Sequence, residues 1–163
     1  MDFKIRKMVK KDIPQVQHVA KTSWNATYEG IIPRNIQDSF LSNAYNDQSM
    51  ERRLDGSHIF VAETDGEIVG FANYSPVSED GKAELGALYL RPEYQGKGAG
   101  TAFLEEGKEK LDDVKEIFIN VEKDNEIGKN FYKAKGFEVV SEFDDNFDGY
   151  ILKTLRMVLK VKE

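Results

Sequence analysis

Residues 95–100 read Gln95-Gly96-Lys97-Gly98-Ala99-Gly100 and stand between an apolar, strand-like run, "LYLRPEY", and a helical pattern that turns Phe103 and Leu104 inward. Alternating glycines let the chain take left-handed dihedrals and let a ligand approach bare backbone. The first turn of the helix adds unpaired N–H donors and a partial positive charge. Together these suit an anion, most often a phosphate group. Lys97 adds a charge or is simply solvated. The spacing excludes two common phosphate sites. A nucleotide-hydrolysing loop needs Lys-Ser/Thr after its glycines, and none follows here. A dinucleotide fold needs Gly-x-Gly-x-x-Gly, and Gly100 does not stand at the third glycine's spacing. Glu116, the acidic residue downstream, opens a strand rather than ending one.

The stretch "NEIGKNFYKAKGF", residues 125–137, is the second candidate. Asn125, Gly128 and Tyr132 share one helical face, while Ile127, Phe131 and Ala134 share another that is expected to pack inward. Gly136 ends the helix, with Phe137 after it. An interior glycine costs about 1 kcal/mol relative to alanine, so a close approach to the face of Gly128 is expected. A tyrosine such as Tyr132 either packs as an amphipath or carries a proton. Two further polar residues interrupt apolar strands: Glu84, before the glycine loop, and Asn120, within Ile117–Val121. Glu84 has the parity of Leu88 and Leu90 unless Gly86 marks a bulge. Asn120 orients water or substrate, or is a satisfied buried amide.

Metal and thiol chemistry find no residues. The chain has no cysteine, which removes thiolate nucleophiles, disulfides and cysteine-ligated metals. His18 and His58 lie far apart and show no metal-ligand spacing, so no metal is expected.

The elements that must position these residues follow from periodicity. A strand is expected over Phe3–Val9 and a helix from an Asp12 N-cap, with Pro14 in its first turn, to Trp24. An irregular helical region runs from Ile36 to Leu54. Strands His58–Glu63 and Glu67–Tyr74 flank Thr64-Asp65-Gly66, a hairpin signal. A strand Glu84–Leu90 leads into the glycine loop and its helix. Strand Ile117–Val121, helix Glu126–Lys135 and strands Phe137–Phe143 and Tyr150–Leu159 complete the chain, with 144–149 as an acidic connecting loop. This order predicts an α/β fold in which helices cover a mixed sheet. A length of 163 residues fits one domain, 1–163.

The net charge of -6, with 23 Lys and Arg interleaved among acids, argues against a nucleic-acid groove. It suits a cationic or amine partner, or serves solubility alone. No apolar run reaches the ~18 residues of a membrane span, and Met1–Arg6 lacks a signal-peptide core, so no membrane association is expected and the cytoplasm is the expected compartment.

Gln-x-x-Gly-x-Gly after "LYLRPEY", followed about 25 residues later by Asn-x-x-Gly-x-x-Phe-Tyr-x-x-x-Gly-Phe, resembles the GNAT superfamily of acetyl-CoA-dependent N-acetyltransferases. The close match covers Glu84–Phe137, with Gln95 where many members carry arginine and Gly128 where alanine is frequent. The resemblance implies a mostly antiparallel sheet with helices on both faces and a splayed strand pair that binds acetyl-CoA. It implies that Gln95, Gly96, Lys97, Gly98, Ala99, Gly100 and Thr101 bind the pyrophosphate. The backbone through Leu88, Tyr89 and Leu90 would pair with the pantetheine arm. Asn125 would contact the end of that arm, and Tyr132 would protonate the leaving thiolate.

The implied reaction is attack of a neutral primary amine on the thioester. An amine with a lysine-like pKa near ~10.4 is mostly protonated at neutral pH, so a base is needed, and Glu84 is the first candidate. The acceptor would lie between the early helices and the last hairpin, where Trp24 and Tyr28 line its pocket or belong to the core. Asp144, Asp145 and Asp148 attract a polyamine or another amine, or form a solvated turn. Polyamines, amino acids, peptide N-termini and protein lysines stay open as acceptors. So does a module that binds acetyl-CoA without turnover, though Tyr132 argues for turnover. Homodimers by sheet-edge pairing are common among similar proteins.

Overall fold

Short alternating runs in this chain pair into a sheet whose helices divide between its two faces. The computed structural model describes residues 2–147 and 149–161. Its strands are β1 Lys4–Lys7, β2 His58–Thr64, β3 Glu67–Tyr74, β4 Lys82–Leu90, β5 Glu116–Glu122, β6 Glu138–Phe147 and β7 Tyr150–Lys160. Its helices are α1 Ile13–Tyr28, α2 Arg34–Ala44, α3 Asp47–Gly56, α4 Ala99–Lys110 and α5 Glu126–Ala134. The sheet order is β1-β2-β3-β4-β5-β7-β6, antiparallel throughout except for β4 and β5. Among the described residues, no helix is long and apolar enough to cross a membrane.

Side-chain alternation sends each strand's residues to two cores. On one face Phe103 and Leu104 of α4 pack with Phe60, Leu85, Ile117, Ile119 and Met157, and Phe131 and Tyr132 of α5 lie against the same cluster. On the other, Val16, Val19 and Ala20 of α1 pack with Val61, Phe71 and Ala87. A smaller aromatic cluster joins Trp24, Tyr28 and Ile32 to Leu152, with Phe40, Tyr89 and Phe147 around it.

Several expected boundaries move. The first strand is shorter than Phe3–Val9, and the irregular helical region resolves into α2 and α3. Asp12 stands at the N-cap of α1 without capping it, because its carboxylate is taken by Arg6 (2.8 Å) and the Val9 N–H (2.8 Å). Helix α1 continues past Trp24 to Tyr28, which puts both aromatics on one rigid element.

The acidic connection expected from residue 144 is strand instead: Asp144, Asp145, Asn146 and Phe147 pair with Lys153, Leu152, Ile151 and Tyr150. Phe147 reaches Phe40 (5.3 Å between centroids), and that inward anchor, with the ladder, overrides the poor strand propensity of the acids. Asp148 lies outside the described residues. In α5, Ile127 is 79% exposed and Ala134 is exposed as well, so of the expected inward face only Phe131 turns in. The helix lies on the sheet through Phe131 and Tyr132, with Gly128 close to Val121 of β5, and no α5 residue is fully buried.

Candidate active site

The glycine loop folds as a single 3-10 turn, Pro92–Tyr94, followed by Gly96 and Gly98 at φ 73 and 95, left-handed values that other residues adopt only with strain. Helix α4 then begins with no side-chain cap, and its first bonded amide is that of Ala102, to the Gly98 carbonyl at 3.1 Å. The amides of Ala99, Gly100 and Thr101 are therefore outside the helical ladder, at the positive end of a helix dipole. Gln95, Gly96, Lys97 and Gly98 are exposed around them. This is a donor set suited to a pyrophosphate.

The mouth of that turn opens on a gap in the sheet. Strands β4 and β5 pair at three positions, Lys82, Ala83 and Glu84 with Glu116, Ile117 and Phe118, and then part. Beyond them β4 keeps only β3 and β5 keeps only β7. The Arg91 N–H donates to Val69 O on the β3 side at 2.9 Å. Backbone groups alternate along an antiparallel strand, so those of Leu90 and Leu88 point into the gap, while those of Tyr89 point to β3.

Gly86 settles the parity of Glu84. The β3–β4 register shifts between Asn73 (opposite Ala87) and Tyr74 (opposite Leu85), leaving Gly86 as the extra residue of a bulge. Ala83 and Leu85 face the α4 core before it, and Leu88 and Leu90 face that core after it. Glu84 therefore shares a face with Ala87 and Tyr89, not with Leu88. There its carboxylate accepts a hydrogen bond from Arg156 Nη2, and Arg156 Nη1 donates to Asn120 Oδ1 at 3.1 Å. The same guanidinium lies 4.7 Å from the Phe118 ring centre. Asn120 is exposed, so it is no buried amide, and its side-chain oxygen accepts from Arg156. Beside Glu84 and Gly86 opens a cleft of about 510 Å³, lined on its far side by Ser49, Arg52, Arg53 and Asn73.

Asn125 and Tyr132 come from α5. Asn125 is the N-cap, its Oδ1 accepting the Gly128 N–H at 3.0 Å, which leaves its NH₂ to donate, with the Glu122 carboxylate beside it. A Cβ on Gly128 would stand 2.8 Å from Asn125 Nδ2 and 3.1 Å from Val121 Cγ2; the close approach expected at this glycine is made by Asn125 itself. Tyr132 packs edge-on against Phe131 and Phe137, at 5.3 and 5.2 Å. Burial, reinforced by the charge of Glu122, pushes its phenol well above the ordinary tyrosine range. The group stays protonated at neutral pH.

On the α1 side, Trp24 is 3% exposed and stacks on Phe40 at 4.3 Å; Tyr28 is also buried, 4.4 Å from the Trp24 ring. The structure thus brings Trp24, Tyr28 and Tyr89 together under the gap. Two functional candidates escaped the sequence reading. Arg156 is one, the lone base between Leu155 and Met157. Glu122 is the other, on the same strand face as Asn120, and that shared parity was the available signal. Burial raises the Glu122 carboxyl above its usual range against the opposing pull of Tyr28.

Residues 21–137 match the model of the acetyltransferase (GNAT) family. The spermidine N(1)-acetyltransferase of Thermoplasma acidophilum is 31% identical over 147 residues, 85% of this chain and 90% of that protein. An uncharacterized N-acetyltransferase of Bacillus subtilis, YuaI, is 34% identical over 150 residues, 88% of this chain and 84% of its own length. Among solved structures, the PaiA N-acetyltransferase of T. acidophilum in complex with coenzyme A superposes with a TM-score of 0.85 at 27% identity, covering 98% of this chain and 99% of that one.

Proposed function

Because the chain belongs to the GNAT family of acetyltransferases and is an acetyl-CoA-dependent N-acetyltransferase, we propose that its acceptor is the primary amine of a small molecule, with polyamines the first compounds to test. One observation carries this reading: the cleft of about 510 Å³ that opens at Glu84 and Gly86, where β4 and β5 begin to part. Its size is that of a small-ligand site. The cleft's lining is mixed, with Glu84 opposite Arg52 and Arg53, and the acidic groups Glu122 on β5 and Asp145 on β6 lie together further along the gap. With the net charge of -6, that acidic pair beyond the cleft favours a cation over an anion. The likeness to a spermidine acetyltransferase supports the same choice.

Acetyl-CoA then enters from the opposite side. The amides from Gly96 to Thr101 hold its pyrophosphate, that of Gln95 being taken by the Pro92 carbonyl. The free backbone edge at Leu88 and Leu90 pairs with the pantetheine arm as an added strand would. The Asn125 NH₂ donates to the end of the arm. The amine nitrogen attacks the thioester carbon, the C–S bond breaks, and the Tyr132 hydroxyl gives its proton to the thiolate. The amide nitrogen then returns a proton to the Tyr132 phenolate. Glu84, Asn120 and Arg156 line the acceptor's end of the gap, over Trp24 and Tyr28.

The test is release of free coenzyme A thiol from acetyl-CoA, near pH ~8 so that part of the amine is neutral, across polyamines, amino acids, short peptides and antibiotics. Release dependent on a small amine is the expected result. Release with peptides alone would overturn the small-molecule acceptor.

A further inference from the structure

Of the two carboxylates nearest the gap, Glu84 is held by Arg156, whereas Glu122 has no ion pair among the described residues. Glu122 closes β5 and is half-buried, and its Oε1 is fully buried without a hydrogen-bond partner. Tyr28, at the end of α1, interacts with both Glu122 on β5 and Tyr89 on β4. These three groups therefore span the underside of the gap beyond the point where the strands part. Trp24 lies next to them, and its indole Nε1 is likewise buried and unpartnered. Buried polar groups are rarely left unpaired, and an unpaired carboxylate oxygen calls for a donor. An ammonium group entering through the gap supplies one, with the partly exposed Tyr89 ring beside it and Trp24 and Tyr28 buried behind.

We propose that Glu122 is the proton acceptor of the transfer: its carboxylate takes one proton from the acceptor's ammonium, and the neutral nitrogen then attacks the thioester. The inference rests on the small-amine reading above. The protons balance. The ammonium's first proton passes to Glu122 and from there to solvent, and the nitrogen's second returns to the Tyr132 phenolate after Tyr132 has protonated the thiolate. The overall yield is acetylated amine, free thiol and one proton. Tyr28 from α1, Tyr89 from β4, Asn125 and Tyr132 from α5, and Asp145 from β6 face or lie near the carboxylate. Burial raises its affinity for a proton most; Tyr28 and Asn125 oppose that and Asp145 adds to it. A raised carboxylate is a stronger base than an exposed one, and it works only above its own pKa.

The experiment measures kcat and KM across pH for the wild type, Glu122→Gln, Glu84→Gln and Tyr28→Phe with whichever amine the wild type turns over. Coenzyme A-induced melting shifts check that each variant still folds and binds. Glu122→Gln should lose about a hundredfold or more in kcat/KM near neutrality. It should also lose the acid limb of the profile, and recover as pH approaches the pKa of the free amine. Tyr28→Phe should move the acid limb to higher pH, because the hydroxyl that opposes the raised pKa is gone. Glu122→Gln activity within about threefold of wild type with an unchanged profile would overturn the proposal. So would loss of the acid limb in Glu84→Gln instead, or a rise in KM alone. If Glu122→Gln gives no melting shift, Tyr28→Phe decides, and an unmoved limb counts against Glu122. A wild type that binds coenzyme A yet turns over no amine fails before any variant is made, and strikes the acceptor reading itself.

Discussion

Tyr132 and Asp12 show opposite uses of burial. Tyr132 carries no ion pair, and burial keeps its hydroxyl protonated. Replacing it with phenylalanine keeps the edge-on contacts with Phe131 and Phe137 and removes only the proton. Tyr132→Phe should lower kcat about a hundredfold and leave coenzyme A affinity within about twofold, as separate turnover and calorimetric titrations would show. Asp12 is a structural counterpart, with its side chain 4% exposed and paired with Arg6. Burial alone would raise its carboxyl, but the hydrogen bonds from Arg6 and the Val9 amide outweigh it and hold the pKa below the ordinary value. A lowered carboxyl contributes stability that is present above the unfolded-state pKa, near ~3.9, and lost as pH falls through the folded one. Asp12→Asn should cost about 2–3 kcal/mol at neutral pH, less than a fully broken buried pair because Arg6 keeps Glu63. Urea melts at neutral and acid pH check it: the gap between variant and wild type should shrink on acidification.

The turn from β4 into α4 is where local sequence determines structure most directly. Gly98 has φ 95 and open space around a would-be Cβ, so Gly98→Ala meets no clash, only backbone strain. That strain, of order 1–2 kcal/mol, falls on the amides offered to the pyrophosphate. Gly98→Ala should weaken coenzyme A binding about tenfold while Gly56→Ala, at a negative φ, leaves it alone; titration calorimetry separates the two. This turn was legible because glycine spacing and the inward Phe103 and Leu104 are local signals. The Asp65–Gly66 hairpin and the strands beside it were legible for the same reason. The β6 extension was not, because Asp144 and Asp145 read as turn residues and only the ladder with β7 makes them strand. Ile127 misled in the other direction: its helical spacing was apolar, yet α5 meets the sheet along Gly128, Phe131 and Tyr132. Glu122 looked like any glutamate at a strand's end. Tyr28 and Tyr89, the groups that give it meaning, reach it through α1 and β4, which no window of sequence around Glu122 contains.

At the scale of the molecule the sheet is two ladders, β1–β4 and β5–β7–β6, joined by three residue pairs. The α4 core ties them on one face, through Phe103 and Leu104 against both Phe60 and Ile119. The aromatic cluster ties them on the other, Trp24 and Tyr28 of α1 meeting Leu152 of β7. Between these two seams the gap leaves backbone donors and acceptors of β4 unpaired, and a cofactor lying along β4 would act as the missing strand. Binding that bridges both ladders stabilises the native state by mass action, about 2.7 kcal/mol at a hundredfold excess over Kd. For a chain of this size that is roughly 5–10 °C in melting temperature. The local signature is more specific than the global one. Without coenzyme A, the Leu88 and Leu90 amides should exchange with solvent much faster than Tyr89, whose N–H faces β3. With it, Leu88 and Leu90 should slow selectively, and the β5–β7–β6 ladder should gain protection until its opening energy approaches that of β2 and β3. Hydrogen exchange read residue by residue by NMR makes the measurement. A higher melting temperature with Leu88 and Leu90 unchanged would place the pantetheine arm elsewhere and leave the glycine turn as the only anchor.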